Sequence, residues 1–440
     1  MMKSLKSKIE DKTAKICIVG LGYVGFPLAT EFAKRGFKVT GFDTSREKVE
    51  VLKNEIRAGA LSENFKVTAD PDIAYKNVNF IIICVPTPIT KTKEPDLKYI
   101  ISAAEGISRR LRKGMFVILE STTYPGTTEE VLIPILERSG LKAGFDFGVA
   151  YSPERIDPGN KKYTIENTPK IVSGVTGECT DIAAQLYAQI TKPVKVSSLK
   201  VAEATKIVEN VFRAVNIALV NELGLIFERM RIDTWEVIEA ASTKPFGFMP
   251  FYPGAGVGGH CIPVDPFYLS WKAKEVGLTT KFIELAGEIN QSMPNHVINL
   301  VIRGLNDVGK SVKGSKIFIL GMAYKKDVDD TRNSPMVIVA EKLDELGAKV
   351  KFNDDYVKQI SLNNEVLLSS PLEDISHCDC LIVGVNHSYY DEKEILSMLK
   401  ESSVVVDCVN IFDKSEVKGQ YVKVGGAYCR KTSNRLSVVD

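Results

Sequence analysis

The segment 258–266, with the sequence GGHCIPVDP, holds the residues of this chain best suited to covalent chemistry. Cys261 follows two glycines, which let a ligand approach the backbone closely, and Asp265 comes four residues later. A thiol becomes a strong nucleophile once a neighbouring group removes its proton. The segment therefore suggests covalent catalysis by Cys261. The alternative is a buried structural cysteine in a glycine-rich loop.

A second set of polar residues lies in a segment from 198 to about 231, where apolar residues recur at steps of three and four and predict a helix. Lys206, Asn210 and Arg213 are spaced at i, i+4 and i+7, so they project from one face. Because apolar residues surround that face, a buried site is favoured over a solvated surface. A lysine and an asparagine placed in this way could hold an alkoxide, a hydroxyl group or a water molecule.

The elements that must position these residues begin with a strand, a glycine turn and a helix near the N-terminus. The apolar segment 15–19 runs directly into GLGYVG at 20–25, and helical spacing follows. Gly20 allows the tight turn, Gly22 lets the backbone approach a pyrophosphate, and Gly25 lets the helix pack closely on the strand. The order of elements predicts a dinucleotide-binding domain.

Asp43 ends the next predicted strand, 18 residues after Gly25. A carboxylate at this position accepts hydrogen bonds from the adenosine ribose and repels a 2′-phosphate, which predicts NAD rather than NADP. Lys48 lies one helical turn farther on and could contact the same ribose. It is equally compatible with a solvated position on the helix surface.

Polar residues also follow three further predicted strands. Thr87 and Thr122 come directly after two buried strands, and Glu154 and Arg155 follow a third. Ligands of a parallel sheet bind beyond the carboxyl ends of its strands, so these side chains are expected near the cofactor or the reacting carbon. The alternative for the threonines is an ordinary role in turns.

The last third of the chain repeats the opening pattern without the full glycine fingerprint. A strand at 315–320 leads into a turn, and a helix with a serine cap and a following proline covers 334–343. This domain is expected to bind something other than a dinucleotide. The loop 324–332 carries cations that could bind a phosphate or a sugar carboxylate, or could simply be surface charge.

The length of 440 residues predicts two or three domains, and the formal net charge of +2 argues against nucleic acid or an anionic membrane as the main partner. No apolar run approaches the roughly 20 residues of a membrane span. Eight scattered cysteines behind a polar N-terminus favour free thiols in the cytoplasm, and no metal site is expected. The predicted α/β fold has two Rossmann-like doubly wound domains joined by a central helical region, with boundaries at 1–197, 198–310 and 311–440.

Together these motifs resemble the nucleotide-sugar 6-dehydrogenases of the UDP-glucose/GDP-mannose dehydrogenase family, from residue 15 to about 424. The resemblance rests on seven motifs in the family's order: GLGYVG at 20–25, VPTP at 85–88, EST at 120–122, SPER at 152–155, the Lys206/Asn210/Arg213 helix, GGHCIPVDP at 258–266 and GMAYKKDVDDTRNSP at 321–335. It implies oxidation of a sugar C6 alcohol to a carboxylate with two NAD⁺ in succession, without release of the aldehyde.

The resemblance also implies roles for individual residues. The implied catalytic residues are Cys261, Lys206, Asn210, Asp265, Thr122 and Glu154. Cys261 would add to the aldehyde as a thiohemiacetal and then hold a thioester, while the lysine and the asparagine would stabilise the C6 oxygen or exchange its proton. Asp265 and Thr122 would organise the proton route and the water, with Glu154 near the same water.

The binding residues are implied in the same way. Those for NAD are Gly20, Gly22, Tyr23, Val24, Gly25, Asp43, Lys48, Thr87, Thr122 and Arg332. Those for the UDP-sugar are Glu154, Arg155, Lys206, Asn210, Arg213, Lys244, Phe251, Tyr252, Gly258, Tyr324 and Lys325. The middle helices would form a homodimer, or a dimer-based oligomer, in which Lys244 could reach the neighbouring subunit's substrate.

The choice of sugar rests on smaller differences. UDP-glucose members usually carry lysine where this chain has Val264, and SPERIDPG and YPGAGVGGHCIPVDPFYL look most like the branch that oxidises UDP-N-acetylglucosamine or UDP-N-acetylgalactosamine. UDP-N-acetylmannosamine and UDP-glucose remain alternatives. Two other hypotheses are a single-step β-hydroxyacid dehydrogenase, which would not need Cys261, and a non-catalytic nucleotide-sugar sensor.

Overall fold

The computed structural model describes residues 2–90, 92–157, 159–160 and 162–427, which form two compact units. The first unit contains the chain up to Asn210 together with Val264–Thr279. The second contains Val211–Pro263 and the chain from Thr280 onward. The three domain boundaries expected from the sequence stay a prediction.

The helices and strands follow the order expected of a doubly wound α/β protein. The α-helices are α1 (Met2–Glu10), α2 (Gly25–Lys34), α3 (Arg46–Arg57), α4 (Pro71–Ala74), α5 (Lys98–Ser108), α6 (Ile133–Glu137), α7 (Gly177–Tyr187), α8 (Leu199–Met230), α9 (Thr234–Ser242), α10 (Asp265–Glu275), α11 (Lys281–Asp307), α12 (Pro335–Glu345) and α13 (Glu392–Met398). The strands are β1 (Lys15–Val19), β2 (Lys38–Phe42), β3 (Phe65–Thr68), β4 (Phe80–Ile83), β5 (Phe116–Leu119), β6 (Gly148–Tyr151), β7 (Lys170–Gly174), β8 (Pro193–Lys195), β9 (Lys316–Leu320), β10 (Lys349–Asn353), β11 (Gln359–Leu362), β12 (Glu365–Leu368), β13 (Cys380–Val383), β14 (Val404–Asp407) and β15 (Gln420–Lys423).

The first unit is built on an eight-stranded sheet in the order β3-β2-β1-β4-β5-β6-β7-β8. Strands β4, β5 and β6 are buried over their whole length, as expected for parallel strands covered by helices on both faces. All neighbours pair in parallel except β6 and β7, which are antiparallel. The first residue of β7 therefore lies at the same edge of the sheet as the carboxyl ends of β5 and β6.

The second unit contains a parallel five-stranded sheet in the order β10-β9-β13-β14-β15, with a separate antiparallel hairpin of β11 and β12. The predicted fold class, Rossmann-like α/β domains with a central helical region, is confirmed. The central region expected at 198–310 includes α10, which begins at Asp265, and α11, which begins at Lys281. Proline is favoured in the first turn of a helix, and Pro266 takes this position in α10. The helix therefore starts directly after the cysteine segment.

Helix α8 covers Leu199–Met230, which agrees with the helix predicted from 198 to about 231, and it is apolar enough to qualify as a candidate membrane span, which was not expected. By length and composition alone, α8 could cross a membrane. The mean hydropathy of its most apolar segment is 1.3, and 33% of that segment is buried in the structure. The apolar residues are not consecutive, because buried polar residues such as Glu203 and Lys206 interrupt them. Core helices of water-soluble proteins meet the same criterion, so this is weak support for a membrane role.

Candidate active site

The glycine turn between β1 and α2 has the geometry that a dinucleotide pyrophosphate requires. Gly20 has a φ of +91°, and a Cβ there would lie 2.7 Å from the carbonyl oxygen of Cys84. A Cβ on Gly25 would lie 1.9 Å from the Gly20 carbonyl oxygen. Gly22, by contrast, has no atom within 4 Å of a Cβ position, so its backbone is open to a ligand. The turn fits NAD.

Asp43 stands at the end of β2, beside this turn. Its Oδ2 accepts hydrogen bonds from the Leu21 backbone N–H at 3.0 Å and from Lys48 Nζ at 2.9 Å. Partial burial raises the pKa of Asp43, but Lys48 and the backbone amides of Ser45 and Leu21 outweigh it and hold the pKa below its usual range. An ionised carboxylate at this position fits the ribose of NAD.

The other residues predicted to contact NAD in this unit lie close to the same sheet edge. Tyr23 is 51% exposed in the turn, and Val24 precedes the first residue of α2. Thr87 is buried, and its carbonyl oxygen accepts a hydrogen bond from Tyr268 of α10. Thr122 is half-buried beyond β5. Their contacts with the cofactor stay predictions.

Helices α8 and α10 bring three of the predicted catalytic residues together. Lys206 and Asn210, one turn apart on α8, are 8% and 4% exposed, and Asp265 at the start of α10 is 1% exposed. Asn210 Nδ2 donates a hydrogen bond of 2.6 Å to Asp265 Oδ2. Asp265 Oδ1 has no hydrogen-bond partner in the part of the chain that the structure describes. The cluster therefore presents a buried carboxylate oxygen that a substrate or water could satisfy.

The protonation of Asp265 follows from this environment. Burial raises the pKa of Asp265 to about 7, against the opposing effects of the Lys206 charge and the Asn210 hydrogen bond. A carboxyl group with a pKa near neutrality can accept or release a proton at physiological pH. Sequence spacing alone did not predict this property.

Glu203 connects the catalytic helix to the loop that follows β5. It is fully buried on α8 and accepts hydrogen bonds from the backbone N–H groups of Gly126 and Thr128 and from the Thr128 hydroxyl. Burial raises its pKa to about 7, although these hydrogen bonds oppose the shift. Glu203 was not predicted from the sequence, although its position three residues before Lys206 on the same helix was a usable signal.

Glu154 and Arg155 are held in place by contacts inside the first unit. Glu154 Oε1 accepts hydrogen bonds from the backbone N–H groups of Arg155 and Ile156, and its Oε2 accepts one of 2.8 Å from Lys170 Nζ. The Arg155 guanidinium forms an ion pair of 2.6 Å with Glu209 of α8. The predicted catalytic and substrate-binding roles of Glu154 and Arg155 stay predictions.

In the second unit, the glycine-rich loop that precedes Cys261 packs tightly on the turn after β9. A Cβ on Gly258 would lie 2.6 Å from Tyr324 Cβ, and one on Gly259 would lie 2.8 Å from the Tyr324 ring. The Gly259 backbone N–H donates to the Arg332 carbonyl oxygen at 2.8 Å, and Asn333 Nδ2 donates to the Gly259 carbonyl oxygen at 3.0 Å. Only glycine fits these two positions.

Two buried amides fix the other end of this loop. Asn221 Oδ1 accepts a hydrogen bond of 3.0 Å from the Gly254 backbone N–H, and Asn221 Nδ2 donates to Asn290 Oδ1 at 2.9 Å. Asn290 in turn donates to the Ala214 carbonyl oxygen at 3.1 Å. These asparagines were not predicted, because their partners are 33 to 76 residues away in sequence.

The other residues of the second unit that were predicted to bind the substrate differ in their contacts and exposure. Tyr252 stacks on Trp235 with ring centroids 4.9 Å apart, and Phe251 packs against Phe212. Lys244 and Arg213 are exposed, whereas Lys325 is half-buried. None of these contacts tests the predicted substrate roles, which stay predictions.

Arg332 lies in the same unit and forms a two-pronged ion pair with the buried carboxylate of Asp330. Its Nε lies 3.0 Å from both carboxylate oxygens, and its Nη2 lies 2.6 Å from Oδ2. This pair holds the pKa of Asp330 below its usual range, although burial raises it. Contact of Arg332 with NAD stays a prediction.

The acid that corresponds to Asp43 in the second unit is fully buried, whereas Asp43 is half-buried. Asp354 follows β10 as Asp43 follows β2, and its Oδ2 accepts hydrogen bonds from the backbone N–H groups of Met322 and Ala323 at 2.8 and 3.1 Å. His387 Nε2 lies 3.1 Å from the same oxygen. Internal contacts occupy this carboxylate, which supports the expectation that the domain binds another ligand.

Cys261 differs from the other cysteines. Six of the seven cysteines that the structure describes are buried, and Cys261 is exposed. It belongs to the second unit, whereas Lys206, Asn210 and Asp265 belong to the first. Its reaction with a substrate that the first unit holds stays a prediction. In the described ranges, no group of three or more His, Cys, Asp or Glu side chains is arranged to hold a metal ion.

Comparison with known proteins agrees with this geometry. Three domains of the UDP-glucose/GDP-mannose dehydrogenase family match the chain: the NAD binding domain at residues 14–191, the central domain at 200–292 and the UDP binding domain at 318–414. The chain belongs to this family. It is therefore an NAD-dependent dehydrogenase of the nucleotide-sugar class.

Individual relatives and structures extend over most of the chain. The UDP-N-acetyl-D-glucosamine 6-dehydrogenase of Salmonella typhi is 40% identical over 409 residues, which cover 89% of this chain and 95% of that protein. The enzyme of the same name from Pseudomonas aeruginosa is 38% identical over 420 residues, with 92% and 99% covered. The structure of a UDP-D-ManNAc dehydrogenase from Pyrococcus horikoshii matches with a TM-score of 0.83 at 31% identity, covering 93% of this chain and 99% of that one.

Proposed function

We propose that this protein oxidises the C6 alcohol of a UDP-N-acetylhexosamine, foremost UDP-N-acetylglucosamine, to the uronic acid. The observation that carries the proposal is the buried cluster of Lys206, Asn210 and Asp265, in which one carboxylate oxygen is left for a reacting group. An alcohol can lose a hydride only as its proton is taken, and this cluster supplies both a proton acceptor and donors to the oxygen.

NAD⁺, held by the glycine turn and Asp43, would supply the hydride acceptor, with a second NAD⁺ replacing NADH between the two oxidations. In the first, Lys206 and Asn210 donate hydrogen bonds to the C6 oxygen, and Asp265 receives the proton that the alcohol loses. The pKa of about 7 suits Asp265 to this transfer. The product of this half-reaction is the C6 aldehyde, which stays bound.

In the second oxidation Cys261 adds to the aldehyde. A bond forms between Sγ and C6, and the thiol proton passes to the aldehyde oxygen, giving a thiohemiacetal. Loss of the second hydride and of the hydroxyl proton leaves a thioester on Cys261. Water then cleaves the C–S bond, which releases the carboxylic acid and restores the thiol. Thr122 and Glu154 are assigned to the position of that water.

The choice of sugar rests on similarity. Two relatives that are 38–40% identical are named UDP-N-acetyl-D-glucosamine 6-dehydrogenases, whereas the matching UDP-D-ManNAc dehydrogenase structure is 31% identical. Val264 also replaces the lysine expected of UDP-glucose enzymes. UDP-N-acetylglucosamine is therefore the first choice, and UDP-N-acetylmannosamine is the second.

The protein is further proposed to act as a cytoplasmic homodimer that pairs through α8. Phe212, Leu219, Ile226 and Met230 are 45–60% exposed and recur at steps of seven, seven and four residues, so they form one apolar stripe. A second copy would cover this stripe. The cytoplasm would keep Cys261 reduced for catalysis.

The substrate is tested by measuring kcat/KM with NAD⁺ and four sugars: UDP-N-acetylglucosamine, UDP-N-acetylgalactosamine, UDP-N-acetylmannosamine and UDP-glucose. The proposal expects the highest value for UDP-N-acetylglucosamine. A preference of tenfold or more for UDP-N-acetylmannosamine or UDP-glucose would reassign the sugar. Absence of NADH formation with all four sugars would contradict the proposed oxidation and favour a nucleotide-sugar sensor.

A further inference from the structure

A buried lysine that none of the predicted roles includes lies at the ligand edge of the first sheet. Lys170 is the first residue of β7 and is only 3% exposed. Its Nζ contacts Glu120 Oε2 at 3.0 Å and Glu154 Oε2 at 2.8 Å, and it lies 3.4 Å from the Pro153 carbonyl oxygen. A fully buried lysine is rare unless it is paired, and here two carboxylates share one cation.

The reversed direction of β7 places the lysine there. Tyr151, the last residue of β6, pairs with Ser173 of β7 in an antiparallel register. Continuing this register three residues beyond β6 and three residues back along β7 places Glu154 opposite Lys170. Glu120 follows the last residue of β5, which pairs with β6 in parallel. Had β7 run parallel to β6, its first residue would lie at the opposite edge of the sheet.

The electrostatics favour a charged lysine between the two acids. Burial alone would lower the pKa of Lys170, but the charges of Glu120 and Glu154 outweigh it and raise the pKa. Burial likewise raises the pKa of Glu154, but Lys170 and two backbone N–H groups bring it below the usual range. Burial raises the pKa of Glu120 to about 7 despite Lys170, and Tyr187 donates a hydrogen bond to its other oxygen. Glu154 is thus the acid that keeps its negative charge.

Pro169, the residue before β7, binds Arg155, the neighbour of Glu154. The Pro169 carbonyl oxygen accepts a hydrogen bond of 2.7 Å from Arg155, whose guanidinium also pairs with Glu209, the residue before Asn210 on α8. Glu154 in turn accepts hydrogen bonds from the backbone N–H groups of Arg155 and Ile156. The side chains of Glu154 and Arg155 therefore both anchor the start of the loop after β6.

We propose that Lys170 is a positioning residue for the oxidation, because its ammonium group holds the Glu154 carboxylate and with it the loop that carries Glu154 and Arg155. The proposal rests on the function proposed above, in which Glu154 positions the water that cleaves the thioester. Lys170 itself contacts no reacting atom in this scheme. Its effect on turnover should therefore pass through Glu154.

A double-mutant cycle tests this dependence. Lys170→Met removes the charge with little change in volume, and it is expected to lower kcat about 10- to 100-fold while KM for NAD⁺ stays within about twofold. Lys170→Arg, which keeps the charge, should recover part of the loss. In a Glu154→Gln background, Lys170→Met should lower kcat no more than about threefold. Lys195→Met, which removes an exposed lysine on β8, is the matched control and should keep wild-type kcat.

Hydrogen exchange gives a second measurement that needs no turnover. The Arg155 and Ile156 amides should exchange faster in Lys170→Met and Glu154→Gln than in the wild type and Lys195→Met. An equal loss of kcat from Lys170→Met in both backgrounds, or unchanged exchange at these amides, would overturn the proposal. So would a Lys170→Met protein that fails to fold while Lys170→Arg is fully active, because the cation would then serve stability alone. A wild-type protein that forms no NADH would instead overturn the proposed function.

Discussion

Asn210 donates a hydrogen bond of 2.6 Å to one oxygen of Asp265, and the other oxygen of that carboxylate has no partner among the described residues. A buried oxygen of this kind is costly unless a ligand or water completes it. The pair joins α8, which carries Lys206, to the first turn of α10. It therefore fixes the position of the proposed proton acceptor, while burial raises its pKa.

Replacement of Asp265 should abolish most of the activity. Asp265→Asn keeps the shape of the side chain but removes the proton acceptor, so we expect kcat to fall about 10²- to 10⁴-fold. Asp181→Asn, which changes an exposed carboxylate in the same unit, is the control and should leave kcat unchanged. Steady-state NADH formation checks both variants, and an Asp265→Asn protein with more than a tenth of wild-type kcat would exclude this role.

The activity should rise with pH through neutrality. Because burial raises the pKa of Asp265 to about 7 against the charge of Lys206, its base form dominates only above that pH. We expect kcat/KM to fall about tenfold per pH unit below about pH 7. A profile of kcat/KM with a limb near pH 4 instead would show that Asp265 is an ordinary carboxylate.

The same pKa shift has the opposite consequence for stability. Native Asp265 retains a proton that the unfolded chain releases above about pH 4, so its contribution to the free energy of unfolding falls as pH rises toward 7. Asp265→Asn cannot ionise and should lose less stability over this range. Urea unfolding at several pH values measures the difference, and parallel stability curves for the two proteins would contradict the prediction.

Loss of the Glu203 side chain should lower the free energy of unfolding, because this carboxylate accepts hydrogen bonds from buried groups. Glu203→Ala leaves the buried N–H groups of Gly126 and Thr128 without their acceptor, and we expect a loss of about 2–4 kcal/mol in the free energy of unfolding. Glu129→Ala removes an exposed carboxylate directly after Thr128 and should change stability by less than about 0.5 kcal/mol. Equal losses in the two variants, measured by denaturant unfolding, would contradict this assignment.

A methyl group at Gly258 should disturb the second unit. Gly258→Ala would place its Cβ 2.6 Å from Tyr324 Cβ and 2.8 Å from the Asn333 carbonyl oxygen, and such overpacking costs about 1–3 kcal/mol. The affinity for the UDP-sugar, measured by calorimetry, should fall with it. Gly177→Ala is the control, since no atom lies within 4 Å of its Cβ position. Wild-type affinity and stability in Gly258→Ala would show that the loop adapts.

Local patterns predicted much of this fold. The strand, glycine turn and helix around Gly20, the acid at Asp43 and the helix that carries Lys206 each depend on residues close in sequence, and each is found in the structure. The hydrogen bond between Asn210 and Asp265 could not be predicted, because it depends on a helix that begins 55 residues later. The approach of Lys170 to Glu120 depends on the reversed direction of β7, which no local pattern signals.

The central claim is that Cys261 carries the second oxidation, and the yield of NADH per uronic acid tests it most directly. With UDP-N-acetylglucosamine in limiting amount, the wild type should form two NADH for each molecule consumed. Cys261→Ser should bind NAD⁺ and the UDP-sugar normally but lower the rate of acid formation about 10³-fold or more. Undiminished conversion to the acid by Cys261→Ser, still with two NADH per sugar, would contradict the covalent mechanism.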